Sequence, residues 1–124
     1  MNRTQCFSNE IHLRGIVTDI SKIHLEIDDL VVWQILMYTE HHYIVDGYDE
    51  RSHFAVLVFP SVENYQHKCE KGISKGSWID VEGRIRGAVG PHGEPRLEVV
   101  AAELAIVPET TPADVTAMPR NNGC

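Results

Sequence analysis

With 124 residues, 43% of them hydrophobic and 23% charged, the chain has the make-up of one ordinary globular domain and is too short for two independent cores. No apolar stretch approaches the roughly 18 residues of a membrane span, and the opening MNRTQ lacks the apolar core of a signal peptide, so a cytoplasmic location is expected. The net charge of −7 excludes a broadly basic phosphate-binding surface, and the cysteines Cys6, Cys69 and Cys124 are too widely spaced for a disulfide framework or a zinc motif.

Residues 1–8 are polar and patternless and are expected to form a flexible arm. From Glu10 the pattern changes. Ile11, Leu13, Gly15 and Val17 alternate with His12, Arg14, Ile16 and Thr18, the period of two that marks a strand with one buried face. Residues 21–27 alternate again and extend that strand, and Asp28 and Asp29 then read as a turn. In residues 30–40, Trp33, Ile35 and Met37 share one face, which predicts a second strand with Trp33 in the core. Residues 41–50 are polar and aromatic with Gly47 among them, and predict a loop or an irregular hairpin tip.

Residues 53–59 predict a third strand, with Phe54, Val56 and Val58 facing one side and His53, Ala55, Leu57 and Phe59 the other; Pro60 ends it. Ser61 as a cap and Val62, Tyr65 and Cys69 at helical spacing predict a helix over 61–71, closed by Gly72. Lys75, Gly76 and Ser77 turn into a fourth strand over 78–86 with Ile79, Val81 and Ile85 inward. The run 87–95, GAVGPHGEP, predicts a hairpin loop. Residues 96–107 form the last strand, blurred at Val99, Val100, Ala101 and Ala102 by a bulge or by burial on both faces. From Pro108 the composition shifts to Pro, Thr, Ala and Asn, the signature of a disordered tail over 108–124.

The predicted fold class is therefore all-β: one domain over 9–107, five strands closed in an oligonucleotide/oligosaccharide-binding (OB) barrel with one short helix between the third and fourth strands. Three segments carry a family resemblance in the right order. The run 75–86, KGSWIDVEGRIR, is similar to the Lys-Gly-Ser and Glu-Gly segment of the bacterial single-stranded DNA-binding protein family, which includes its relative, primosomal replication protein N. Residues 9–15, NEIHLRG, resemble that family's first strand, and residues 56–59, VLVF, its third. The chain also departs from the family. His53 stands where a tryptophan is usual, 87–95 has no aromatic residue except His92, and the stretch from Pro108 carries no acidic run with a hydrophobic tip.

Single-strand binding needs π-faces on which bases stack and cations that follow the phosphates. His53 and Phe59 on the third strand, and Tyr38 and Tyr43 near the end of the second, offer the faces; by the resemblance, Tyr43 stands at a stacking tryptophan. Arg51 borders the hairpin tip, and Arg14, Arg84 and Arg86 lie on strands that neighbour it in such a barrel. The plainer role for these arginines is a salt bridge to Glu10, Glu82 or Glu98. Trp78 points away from Ile79, towards either a subunit contact or the binding face. His41 and His42 with Asp46 and His53 lack the flanking spacing of a metal site, and the segment 90–93 is not a phosphate loop because no helix follows it.

No serine or cysteine sits in a nucleophile motif, so no enzyme activity and no cofactor are expected. The resemblance implies a homodimer or homotetramer that holds single-stranded DNA during replication, recombination or repair. Two alternatives stand beside it. The net charge of −7 and the missing aromatics favour an OB-fold protein-interaction module of a replication or recombination complex, and RNA is an open partner because such barrels serve both nucleic acids.

Overall fold

A computed structural model describes residues 6–25, 29–44 and 47–108; the expected arm over 1–8 lies mostly outside this range, and the expected tail over 108–124 almost wholly so. Five strands form a closed barrel in the order β1-β2-β3-β5-β4: β1 (Ile11–Leu25), β2 (Leu30–Tyr43), β3 (Tyr48–Val58), β4 (Trp78–Val89) and β5 (Pro95–Ile106). The barrel is an OB fold, as the strand order predicts. The expected turn at Asp28 and Asp29 is described only at Asp29, whose φ of 52° is left-handed.

Closure depends on β1, which runs unbroken through both of its predicted halves. It pairs with β4 from Ile11 to Ile16 and with β2 from Ile16 to Leu25, with a register shift between Val17 and Asp19 that bends it from one neighbour to the other. At the bend Gly15 lies against the Tyr38 carbonyl, so closely that any Cβ would collide with that backbone oxygen. Gly83 is pressed in the same way against the Val100 carbonyl, beside the β4–β5 bulge that leaves Ala102 without a partner. The blurred alternation at 99–102 thus has both expected causes: Val99, Val100 and Ala101 are all buried, and a bulge follows them.

The core is filled by the inward faces that the alternation marks. Val17, Trp33, Ile35, Met37, Val56, Val58, Ile79, Val81 and Leu104 are all buried and form one cluster. Each such side chain contributes about 1.5–3 kcal/mol when withdrawn from water. Val62, Cys69 and Ile73 close one end of this cluster from the β3–β4 connection. Burial pushes the Cys69 thiol up to about 11.

Three boundaries and the orientation of one residue differ from expectation. The helix over 61–71 is reduced to α1 (Tyr65–His67), followed by a π-helical turn (Lys68–Gly72), because Asn64 at φ 58° interrupts the backbone; Ser61 is not its cap. The apolar spacing instead serves a plug, tied to the barrel by Trp33 Nε1 donating to Gln66 (3.3 Å) and Lys68 Nζ donating to the Leu104 carbonyl (2.6 Å). Of residues 41–50, expected as a loop or an irregular hairpin tip, 41–43 and 48–50 belong to regular strands of a hairpin: His41, His42 and Tyr43 pair with Glu50, Asp49 and Tyr48. The loop of 87–95 shrinks to 90–94, since β4 and β5 stay paired out to Val89 and Pro95. Ile85 is not inward but 36% exposed. It lies beyond Gly83, where β4 has lost β1 as a neighbour.

Candidate nucleic-acid interface

Beyond Tyr38, β2 has no β1 partner, so residues 39–43 and 48–52 form a two-stranded arm that stands clear of the barrel. Its two faces differ. On one, Leu36, Tyr38, Glu40 and His42 lie opposite Ala55, His53, Arg51 and Asp49. The Tyr38 and His53 rings are 5.9 Å apart at 49°. The Arg51 guanidinium lies 4.3 Å from the Tyr38 ring centre, while its Nε donates to Glu40 at 2.9 Å. A cation on a ring face is attracted by the ring quadrupole, and the carboxylate holds it there.

On the other face of the arm, Tyr43 stacks on Tyr48 (5.8 Å, 28°) with His41 edge-on at 4.4 Å. Tyr43 donates its hydroxyl to Glu50 at 2.7 Å; that bond, together with the Glu50 charge, raises the phenol above its ordinary pKa. The structure therefore brings Tyr38, Arg51 and His53 together and sets Tyr43 on the reverse side. His41 and His42 also point to opposite faces, and His42 is bonded to Asp49.

A second cluster of the same composition lies where β3 ends. Arg86 stands 5.9 Å from the Phe59 ring, and its Nη2 and Nε both donate to Glu98 Oε1, at 2.8 and 3.3 Å. Leu57 and Val100 are neighbours in the β3–β5 ladder and are buried, yet they stand outside the main core cluster. They form an apolar floor on the outward side. Arg84 lies opposite Val100 on β4, exposed and without an ion pair among the described residues.

Arg14 is held on β1 by Asp80 (3.1 Å), which also takes a contact from His12. It lines a groove of about 770 Å³ between the first half of β1 and the far end of β2, shared with Tyr38, His41 and Trp78. Trp78 is 45% exposed there, whereas Trp33 is a core residue, 8% exposed, as its parity predicts.

Three of the four arginines form salt bridges, with partly different partners: Arg86 uses Glu98, but Arg14 uses Asp80 and Arg51 uses Glu40, while neither Glu10 nor Glu82 pairs with an arginine among the described residues. Sequence reasoning missed Glu40 and Asp80. Glu40 had a readable signal, because it and Arg51 are equidistant from the hairpin tip. Asp80 had none, since its partner comes from a strand 66 residues away.

This is the outer surface of an OB barrel with two aromatic–arginine clusters on it. Its likeness is to solved single-stranded DNA-binding proteins. The SSB of Plasmodium falciparum, solved in complex with ssDNA, is matched over 87% of this chain and 100% of that one, with a TM-score of 0.66 and 16% identity. A deletion mutant of the single-stranded DNA binding protein from Thermus aquaticus is matched over 82% of this chain and 51% of that one, with a TM-score of 0.65 and 15% identity; the chain thus spans about half of the Thermus protein. At such identities the likeness establishes the fold. No family model and no curated protein match the chain.

Proposed function

We propose that this protein binds single-stranded DNA, without catalysing a reaction, through the outward faces of β1, β2, β3 and β4. The observation that carries the reading is the Tyr38–Arg51–His53 cluster, in which a cation and two exposed or half-exposed rings share one side of a barrel. Bases stack on His53, Tyr38 and Phe59, and Arg51, Arg84, Arg86 and Arg14 meet the phosphates. Tyr43 serves on the reverse face of the arm, so a strand that uses it must pass around the hairpin. Kinship with the bacterial single-stranded DNA-binding proteins and primosomal replication protein N, a role in replication, recombination or repair, and a cytoplasmic location belong to the same proposal. So does assembly as a homodimer or homotetramer, for which the exposed Trp78 in its groove is the natural contact.

A titration of fluorescent oligo-dT, with oligo-rU in parallel, tests this reading. Saturable binding of oligo-dT at about 50 mM salt is the expected outcome, and preference for the RNA would redirect the reading to that partner. A second reading, the protein-interaction module, draws on the −7 charge and on arginines that already have carboxylate partners. Absence of binding to either oligonucleotide selects it.

A further inference from the structure

Two places on the proposed binding surface repeat one arrangement of three side chains. At the first, Arg51 lies over Tyr38 and is held by Glu40; at the second, Arg86 lies beside Phe59 and is held by Glu98 through two nitrogens. In both, the group best suited to a phosphate is already occupied by a carboxylate, the protein's own analogue of one. We infer that Glu40 and Glu98 are intramolecular competitors, which occupy the phosphate-binding guanidinia of Arg51 and Arg86 and so set a deliberately moderate affinity for the single strand. The inference rests on the proposed single-strand function and adds its regulation.

The physics has two consequences. A phosphate that takes the Nε edge of Arg51 displaces Glu40, so one ion pair replaces another there and the net gain is small. The counterion balance changes too. A phosphate that meets a free arginine releases its condensed cation, giving a slope of about −0.7 in log affinity against log salt for single strands. When the arginine arrives with a carboxylate that stays beside the strand, the net charge brought to the phosphates is close to zero, and the slope contribution becomes small. The paired arginines are therefore almost invisible to salt until their carboxylates are removed.

The test is a set of oligo-dT titrations on the full chain with Glu40→Gln, Glu98→Gln and both together. Glutamine keeps the side-chain shape at these exposed or half-exposed positions. Each single change is expected to tighten binding about two- to fivefold at about 0.15 M salt, the scale of an exposed ion pair. The double change should steepen the salt slope by about 1.4. In an Arg51→Ala background the gain from Glu40→Gln should vanish. Glu103→Gln is the control for charge removal alone, since Glu103 faces Glu82 in the β4–β5 ladder and pairs with no arginine among the described residues.

If the wild type binds but the gain is absent, survives Arg51→Ala, or is matched by Glu103→Gln, the competition is overturned and the single-strand reading stands. If neither the wild type nor the double variant binds, both fall. Binding by the double variant alone supports the inference in its strongest form.

Discussion

His53 meets Tyr38 at 49° rather than in a parallel stack, and it is exposed, so an incoming base can lie on the imidazole with Tyr38 supporting its edge. Stacking a base on an aromatic side chain is worth about 1–3 kcal/mol, and an imidazole, the smallest of these rings, belongs at the low end. His53→Ala is therefore expected to weaken oligo-dT binding about fivefold, and His53→Trp to tighten it beyond the wild type. Fluorescence anisotropy of labelled oligo-dT measures both. If neither substitution moves the affinity, His53 lies outside the site, and Tyr38, its partner across the ladder, loses its assigned role with it. Arg51 keeps a place only if its own substitution weakens binding.

The strands were legible in sequence wherever one face is buried. Ile11, Leu13, Gly15 and Val17, then Trp33, Ile35 and Met37, announce their faces because water selects them two residues apart. The two-stranded arm was only partly legible: residues 41–43 and 48–50 are all exposed, so their pairing leaves no hydrophobic period and reads as a loop or an irregular hairpin tip. Of the site, the residue types were visible, but which of them share a face became clear only with the hairpin register. Asn9 illustrates a contact invisible to pattern. Its side-chain amide donates to the Ile85 carbonyl at 2.6 Å and accepts from the Ile85 N–H at 2.9 Å, adding a rung to the β1–β4 ladder that begins at Ile11 and Gly83. Asn9→Ala is expected to cost about 1 kcal/mol in urea unfolding. Asn9→Asp should cost more, because it sets an oxygen against the Ile85 carbonyl. Equal stability of all three proteins would show that the rung is decorative.

Across the whole molecule, a −7 body carries a binding surface on which three of the four candidate arginines are already paired: Arg14 with Asp80, Arg51 with Glu40 and Arg86 with Glu98. Only Arg84 approaches a phosphate without surrendering a partner among the described residues. This decides how affinity depends on salt. Were all four arginines free, neutralising four phosphates would give a slope of about −2.8, and raising salt from 50 to 200 mM would weaken binding about fiftyfold. With Arg84 as the one net contributor, the slope is about −0.7 and the same change weakens binding only about threefold. The acidic body flattens the curve further at low salt, where screening is weakest and repulsion between protein and strand reaches farthest. Stacking, which salt hardly touches, then supplies most of the affinity, and His53, Tyr38 and Phe59 matter more than the arginine count implies. The expected result is an oligo-dT affinity that changes about threefold over that range. A fiftyfold change would mean that the free-state ion pairs offer no resistance to the strand, and it would return the arginines to the leading role.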